Sequence, residues 1–442
     1  AMSGACHCSY SRNTGNRSRE SIPRSPIMSR HLLTGNAAAA WGARLAKVDY
    51  IPAFPITPQT EIIESIAEWI DKREMAGRMV TLESEHSMIT AAGAASATGV
   101  RVFTATSSQG LLYAIEMIYN VAGWRTPFVL VNVSRGLSAP ITLEPDHNDV
   151  LATRDSGFLQ IHCATCQEVM DSILIGYRLA EHDQVRLPVI VNQDGFYLSF
   201  TREPVEIPDA RSAAEFVGEY NSENMTFRAS SPSSQAVAVL GAGPYSYFRY
   251  EIHLAAIQAL SVYDEIAQQF RERFGRYHPI VETYRTEDAD YVYVMMDCFA
   301  TKAKDAVDRL RESGVKIGLL RPRLLRPFPA QQIQIALSGK KGVAVIDQNL
   351  SMGKGGVLHT EIASALYGQH EAPPILASFI GGLGGRDISA EEFYEIAAIL
   401  QDAAKQNKTP APRLLYTETE LRAMRKLQAI AHAEREELKP HK

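Results

Sequence analysis

Short apolar runs rich in Val and Ile alternate along this chain with segments in which apolar residues recur at helical spacing. Uninterrupted apolar strands set between helices are typical of parallel sheets that are buried on both faces. The pattern therefore predicts an α/β fold with parallel sheets and helices on both of their faces. The predicted strands are residues 102–103, 128–133, 189–191, 236–240, 291–296, 317–320 and 342–346.

The spacing of these elements predicts two α/β units joined by a less regular segment. Residues 209–234 are polar and poor in strand signals, which favours a linker, whereas the apolar spacing over 251–274 predicts a helix. A charged helix is predicted at 418–437, as an arm that could reach a partner subunit. The expected division is a first unit at 31–217, a linker and helical segment at 218–285, a second unit at 286–410 and a charged helical tail at 411–442.

The first thirty residues differ from the rest of the chain, because they are dense in Arg and Ser and show no apolar periodicity. We expect residues 1–30 to be a disordered extension ahead of the functional protein. An organelle transit peptide has a similar composition, but Glu20 and the lack of an apolar helical face argue against it.

Composition and charge exclude several classes of function. The net charge is −5, and no basic block with interleaved aromatic residues is present, so we expect no nucleic-acid partner. No apolar run approaches the ~20 residues that a membrane-spanning helix needs, so we expect no membrane span and a cytoplasmic protein.

The five cysteines do not form the framework of a disulfide-rich protein. Cys163 and Cys166 form a CxxC pair without a second pair, so buried thiols are expected rather than a cluster ligated by this chain. Three glycine-rich segments lack the full spacing of a nucleotide-binding loop and predict tight turns: residues 241–244, 351–356 and 381–385.

A carboxylate stands at the start of a stretch that is otherwise apolar and rich in small residues. Glu85 precedes the AAGAASATG segment at residues 91–99, and a buried charge without a partner is costly. One interpretation is a helix start, with Ser84 or Glu85 capping a helix that runs through Ala97. The other is a carboxyl group that serves a ligand.

Six motifs in a fixed order favour the second interpretation. They are PITPQT, ESEHS, TATSSQGL, VNVSRG, PDHND and TRDSGF, all within residues 55–158. This series resembles the α subunit of 2-oxoacid:ferredoxin oxidoreductases, a thiamine-diphosphate family that includes pyruvate:ferredoxin oxidoreductase. The resemblance implies a pyrimidine-binding thiamine diphosphate domain followed by a transketolase C-terminal-like α/β domain.

The resemblance also implies roles for particular residues. Glu85, with Glu83 as the alternative, would contact the pyrimidine nitrogen and favour the imino form of the neighbouring amino group, which can then accept a proton. Arg135 would bind the substrate carboxylate, for which an Arg fork is well suited. Thr57 would lie near the keto group. The remaining positions are Ser107, Ser108 and Gln109, which would line the floor of the cofactor site, and His147 and Asn148, in a loop that would select the substrate side chain.

Several of these positions have plainer interpretations. Arg135 alone could be a surface arginine after a strand, and Thr57 a turn residue between two prolines. His147 could equally be a donor that stabilises its own loop. The segment at 140–145 departs from many pyruvate enzymes, so the expected substrate is either pyruvate-like or a bulkier branched or aromatic 2-oxoacid such as phenylglyoxylate.

The chain lacks a segment of the GDG…N type for a magnesium diphosphate and lacks cluster-binding cysteine spacing. The resemblance therefore implies a β subunit that shares the thiamine diphosphate and holds Mg²⁺, and γ and δ subunits that supply coenzyme A contacts and [4Fe-4S] clusters. Ferredoxin, or NAD through a flavin subunit, would accept the electrons. The alternatives are a transketolase-like or oxoacid dehydrogenase chain, and a non-catalytic subunit of the same fold.

Overall fold

A computed structural model describes residues 28–220 and 226–437. Its strands are β1 (Met28–Thr34), β2 (Tyr50–Ala53), β3 (Arg78–Thr81), β4 (Phe103–Thr106), β5 (Val129–Ser134), β6 (Leu159–His162), β7 (Val189–Asp194), β8 (Arg202–Pro208), β9 (Val281–Tyr284), β10 (Tyr291–Val294), β11 (Ile317–Pro322), β12 (Leu324–Arg326), β13 (Gly342–Asp347), β14 (Leu376–Ile380) and β15 (Arg413–Leu414).

Helices alternate with these strands, as the apolar pattern predicts. They are α1 (Gly35–Leu45), α2 (Thr60–Asp71), α3 (Glu85–Ala97), α4 (Ser108–Tyr113), α5 (Ile115–Gly123), α6 (Asn148–Ala152), α7 (Cys166–Ala180), α8 (Ala210–Val217), α9 (Ala242–Phe274), α10 (Phe299–Glu312), α11 (Ala330–Leu337), α12 (Val357–Leu366), α13 (Ala390–Gln406) and α14 (Glu418–Glu437), with a 3-10 turn at Leu383–Gly385.

The first sheet carries the motif-bearing half of the chain. Its order is β12-β6-β7-β5-β4, and every pair is parallel except β12 with β6. The parallel pair β2-β3 continues it beyond β4 through a bridge between Tyr50 and Val102. Strands β4, β5, β6 and β7 are buried along their whole length, as continuous Val/Ile strands between two helical layers should be. The α/β prediction with parallel sheets is confirmed.

The second sheet has the order β15-β14-β13-β10-β11-β9, and only β9 runs antiparallel to its neighbour. The chain returns to the first sheet once, because β12, which directly follows β11, pairs with β6 before the chain continues to β13 of the second sheet. The two sheets are therefore joined by a continuous segment as well as by side chains.

Six of the seven predicted strands are confirmed, and residues 236–240 are the exception. This run is apolar, yet Val239 is 85% exposed and Leu240 is 88% exposed, and helix α9 begins at Ala242. The strand prediction was wrong because no sheet edge pairs with the segment; its apolar side chains precede a helix of 33 residues.

The ends of the predicted units also differ from the structure in detail. Residues 28–30, which the composition assigns to the extension, belong to β1, which pairs with β8; residues 1–27 lie outside the described part of the chain. The polar segment 209–234 contains α8, whose Phe216 is buried, and so is not linker throughout. Strand β9 lies in the second sheet although its residues fall within 218–285. The predicted helix at 418–437 is confirmed as α14.

Candidate active site

The motif residues converge at one edge of the first sheet. Thr57 follows β2, Glu85 follows β3, Ser107 to Gly110 follow β4, and Arg135 follows β5. These four strands are parallel, so their carboxyl ends meet at the same edge, where open α/β sheets bind ligands.

Glu85 is the first residue of α3, and Ser84 caps that helix by accepting a hydrogen bond from the Ser87 N–H at 3.2 Å. The Ser84 cap predicted from the sequence is therefore present. The carboxylate of Glu85 takes no part in this cap. The residue is 5% exposed, and no hydrogen bond joins its carboxyl group to another described residue. Burial raises the pKa of Glu85 above its ordinary value.

Gly110 forms one wall of the Glu85 site. A Cβ atom at this position would overlap Glu85 Oε1 and would lie 2.6 Å from Thr106 Oγ1. The hydroxyls of Thr106 and Ser107 are buried and have no hydrogen-bond partner within residues 28–220 and 226–437, although buried polar groups are usually paired. The Glu85 carboxyl group and the Thr106 hydroxyl therefore both lie beside Gly110 without a hydrogen bond to another described residue.

Glu83, the alternative to Glu85, has a different environment. It is exposed, and its carboxylate accepts a hydrogen bond from the Ser87 hydroxyl. This contact lowers the pKa of Glu83, so it is an ordinary ionised group at the protein surface. Of the two carboxylates in the ESEHS motif, Glu85 is the one that the fold turns inward.

The Arg135 side chain is held by two neutral acceptors. Its Nη1 donates to the Thr57 carbonyl at 2.5 Å and its Nη2 donates to Gln109 Oε1 at 2.5 Å, while the residue is only 7% exposed. Among the described residues no carboxylate forms an ion pair with it, and burial lowers the pKa of Arg135. An anchored guanidinium whose charge is not neutralised is suited to bind an anion.

Ser108 and Gln109 complete the floor of the site. Ser108 has a φ of 48°, and its hydroxyl donates to the Gly136 carbonyl at 2.9 Å. The Gln109 amide Nε2 donates to Ser138 Oγ at 2.8 Å, so that its Oε1 faces Arg135. Thr57 is exposed, and its hydroxyl makes no hydrogen bond with another described residue.

Asp149 organises this floor and was not among the predicted site residues. It is fully buried and accepts hydrogen bonds from the backbone N–H groups of Ser108 at 3.0 Å and Arg135 at 3.1 Å, and from the Ser134 hydroxyl at 2.7 Å. Burial raises the pKa of Asp149, and these donors oppose the rise. The sequence signal that could have identified Asp149 was the acid itself. It directly precedes apolar residues, and a carboxylate that is buried with them needs several hydrogen-bond donors.

His147 does not project into this site. The imidazole is 1% exposed, and its Nε2 lies 2.8 Å from Asp194 Oδ1 and 3.1 Å from Asp297 Oδ2. This placement matches the alternative in which His147 stabilises its loop. Asn148 is partly exposed and lines a cleft of about 660 Å³ between the two units, where its Oδ1 accepts from Asn349 Nδ2 at 3.5 Å.

The CxxC thiols are buried apart from this site. Cys163 Sγ contacts the Ser172 hydroxyl at 3.5 Å and Cys166 Sγ contacts the Thr201 carbonyl at 3.4 Å. Burial raises the pKa of both thiols, which disfavours the thiolate that metal binding and redox chemistry require. In the part of the chain that the structure describes, no helix combines the length and apolarity needed to cross a membrane.

The site fits the aminopyrimidine half of thiamine diphosphate. Glu85 offers a buried carboxyl group with a raised pKa, Thr106 offers a hydroxyl beside Gly110, and the Ser107 hydroxyl next to it in the chain also has no partner among the described residues. A ring that carries both hydrogen-bond donors and acceptors would satisfy these groups.

Comparisons with known proteins show the family to which the chain belongs. Residues 41–271 match the family described as pyruvate flavodoxin/ferredoxin oxidoreductase, thiamine diphosphate-binding, and residues 289–393 match pyruvate:ferredoxin oxidoreductase core domain II. The pyruvate synthase subunit PorA of Pyrococcus abyssi is 40% identical over 383 residues, which cover 87% of this chain and 96% of the relative. The ketoisovalerate oxidoreductase subunit VorA of Pyrococcus horikoshii is 39% identical over 378 residues, covering 85% and 95%.

A solved structure shows the same fold at lower identity. The 2-oxoglutarate:ferredoxin oxidoreductase from Magnetococcus marinus, solved with 2-oxoglutarate, coenzyme A and succinyl-CoA bound, superposes with a TM-score of 0.63 at 19% identity. The match covers 86% of this chain and 66% of that one. The chain therefore belongs to the α subunits of the 2-oxoacid:ferredoxin oxidoreductases, and it is a subunit of a 2-oxoacid oxidoreductase complex.

Proposed function

We propose that this chain supplies the pyrimidine side of a thiamine diphosphate site in a complex that oxidatively decarboxylates a 2-oxoacid to an acyl-CoA and carbon dioxide. The observation that carries the proposal is the Glu85 carboxyl group, which is buried, packed against Gly110 and without a hydrogen bond to any other residue that the structure describes. When bound, thiamine diphosphate supplies the nucleophile and the electron sink for the decarboxylation.

Glu85 has the properties of a residue that holds a proton at a ring nitrogen. Its burial favours the protonated carboxyl form, and no other described residue competes for its oxygens. A carboxyl group held in this way at the start of α3 can share its proton with a heteroaromatic nitrogen and relay a charge change across the ring. Thr106 and Ser107 can satisfy the remaining polar edge of the same ring.

Arg135 is proposed to bind the carboxylate of the 2-oxoacid. Its guanidinium is anchored on Thr57 and Gln109 and forms no ion pair with a described residue, although the Asp149 carboxylate acts on it at longer range. The hydroxyl of Thr57 is free to donate to the keto oxygen. The two residues would thus orient both polar ends of a 2-oxoacid beside the cofactor.

The proposed substrates are 2-oxoacids with a small, branched or aromatic side chain. The relatives that the chain resembles include subunits of a pyruvate synthase and a ketoisovalerate oxidoreductase. The loop that follows Arg135 exposes Ile141 and Leu143, which are apolar residues suited to an apolar side chain or to a neighbouring subunit. Phenylglyoxylate remains a test substrate.

The proposed complex contains β, γ and δ-type subunits. The β subunit would hold Mg²⁺ and the diphosphate, and the others would carry [4Fe-4S] clusters and coenzyme A contacts. Electrons would leave to ferredoxin, or to NAD where a flavin subunit is present. Named subunits among the relatives support an assembly of this kind.

Replacing Glu85 with Gln in the assembled complex tests the proposal. We expect coenzyme A-dependent oxidation of 2-oxoacids, followed with a viologen dye, to fall at least ~100-fold, because an amide cannot exchange a proton with the ring. The panel includes pyruvate, 2-ketoisovalerate and phenylglyoxylate, and the subunit composition is checked by gel filtration.

Glu83→Gln is the matched control, because it changes the exposed carboxylate of the same motif. It should keep wild-type turnover and assembly. Full activity of Glu85→Gln with every 2-oxoacid that the wild-type complex oxidises would refute the proposed role. A wild-type complex that oxidises none of them would refute the proposed reaction.

A further inference from the structure

Residues 144–149 lie between the two α/β units and contact the second unit along their backbone. The Gly385 N–H donates to the Pro145 carbonyl at 2.9 Å, and the His147 N–H donates to the Gln348 carbonyl at 2.9 Å. From the first unit, the Tyr197 hydroxyl donates to the Gly385 carbonyl at 2.6 Å. The glycine-rich segment 381–385, predicted only as a tight turn, thus holds residues 144–149, here called the site loop, through the Gly385 N–H.

The His147 side chain joins the units a second time. Asp194 ends β7 in the first sheet, whereas Asp297 precedes α10 in the second unit, and the imidazole contacts both. Asp297 also accepts from His162 Nδ1 at 2.7 Å, and Asp194 Oδ2 accepts from the Cys298 N–H at 3.0 Å. Of these groups, both histidines and both aspartates are buried.

The electrostatics of the cluster favour a charged imidazole. Desolvation alone would lower the pKa of His147, but Asp297 and Asp194 overcome this effect and, with a contribution from Asp149, raise it to about 9. Two buried carboxylates therefore face one imidazolium, a pairing that offsets part of the cost of burying the charges.

The same short segment controls the floor of the site. Asp149, two residues after His147, binds the backbone N–H groups of Ser108 and Arg135. Displacing the segment would release these two N–H groups, and with them the backbone from which the Gln109 and Arg135 side chains extend. The position of Arg135 thus depends on a link to the second unit.

We propose that His147 is a positioning residue, which locks the segment 144–149 onto the second α/β unit and so holds Asp149, Ser108 and Arg135 in the geometry of the site. It acts through Asp149 and does not touch the substrate. Its effect on turnover rests on the proposed function, whereas its effect on the order of the site backbone does not.

His147→Gln tests the lock in the assembled complex by two measurements. Amide hydrogen exchange at Ser108, Arg135 and Val150 should become at least ~10-fold faster, because these N–H groups donate to Asp149. In addition, kcat/KM for the 2-oxoacid that the wild-type complex oxidises best should fall roughly 10- to 100-fold, mainly through KM, because the carboxylate-binding Arg135 is displaced.

His278→Gln is the matched control. It removes another buried histidine–aspartate pair, since His278 Nε2 lies 2.9 Å from Asp171 Oδ2, without contacting the site loop. It should lower thermal stability but leave exchange at Ser108 and Arg135 unchanged. Equal effects of the two variants on exchange and on KM would show only a general loss of packing and would overturn the proposal.

Gly385→Ala tests the same lock without removing a buried charge, should His147→Gln fail to assemble. A Cβ there would lie 2.5 Å from Glu144 Cβ, whereas Gly384, which also has a positive φ, has open space around it. Faster exchange at Ser108 and Arg135 in Gly385→Ala, but not in Gly384→Ala, is expected; equal exchange in both would overturn the proposal. Because exchange needs no turnover, a failure of the proposed reaction would be seen separately.

Discussion

A single hydrogen atom at Gly110 leaves room for the Glu85 carboxyl group. Glycine is often chosen for its backbone freedom, but Gly110 lies in helix α4 without a positive φ, so its value here is lack of bulk. Any side chain would push Glu85 Oε1 and Thr106 Oγ1 out of the places from which they could contact a ring.

Gly110→Ala is therefore expected to inactivate the complex while leaving the fold in place. Alanine favours the helix, but its methyl group would displace the Glu85 carboxyl, so turnover should fall ~100-fold or more. Gly123→Ala, in the neighbouring helix α5, is the control because no atom lies within 4 Å of its Cβ position. Comparable turnover in the two variants would argue against a tight fit around Glu85.

Arg135→Lys separates charge from geometry at the substrate site. Lysine keeps the positive charge but cannot hold the Thr57 carbonyl and the Gln109 amide at the same time as a substrate carboxylate. We expect KM for the 2-oxoacid to rise at least ~10-fold, corresponding to about 1.4 kcal/mol, with thiamine diphosphate content unchanged. Steady-state kinetics with parallel cofactor analysis measure both quantities, and an unchanged KM would contradict the proposed role.

At the scale of elements, helix α3 places Glu85, and its position depends on close packing against α5. Gly93 in α3 faces Val121 in α5, and a Cβ on Gly93 would overlap Val121 Cγ1 and lie 3.3 Å from the Trp124 ring. The glycine at position 93 is thus explained by the close approach of the two helices.

Gly93→Ala should lower stability by about 1–3 kcal/mol, because a well-packed interface has no space for an added methyl group. The apparent melting temperature of the complex provides the measurement. The control is again Gly123→Ala, which adds a methyl group into open space in α5 and should not lower it. An unchanged melting temperature for Gly93→Ala would show that the two helices separate at little cost.

At the scale of the whole molecule, a buried charge network joins the units away from the site. Arg321 in β11 donates through Nη2 to Glu168 of α7 at 2.7 Å and through Nε to Glu282 of β9 at 2.8 Å, and it is 1% exposed. Burial raises the pKa of Glu168, but Arg321 and Arg323 outweigh it and hold that pKa well below its usual range. The carboxylate thus remains ionised inside the protein.

Arg321→Met should destabilise the protein by about 3 kcal/mol, since it leaves two carboxylates with too few partners. Arg309→Met is the control, because Arg309 forms an exposed pair with Asp305 one helical turn away, a contact worth at most about 0.5 kcal/mol. Thermal unfolding of the complex compares the two. Similar melting temperatures would mean that Arg323 alone can compensate the buried acids.

Local patterns were sufficient for much of the fold. The buried strands β5, β7, β10, β11 and β13 could be predicted because a run of Val and Ile between helices has few other stable arrangements. The Ser84 cap was also predictable, because a helix cap is a local contact between residues three positions apart. The strand prediction at 236–240 failed because these apolar residues do not pair with a sheet. Whether a sheet edge lies next to a segment depends on the packing of distant parts of the chain, which the local pattern does not specify.

The site divides in the same way between local and distant causes. The sequence alone determined which residue types were available, and it predicted the strand that Arg135 follows but not the strands that precede Thr57 and Glu85. Only the tertiary structure decided that Glu85 turns inward while Glu83 remains at the surface, that Asp149 binds Ser108 from 41 residues away, and that His147 contacts Asp297 instead of the site. The physical reason is that burial and long-range hydrogen bonds depend on how sheets and helices pack. The sequence of one segment does not specify which other elements will pack over it.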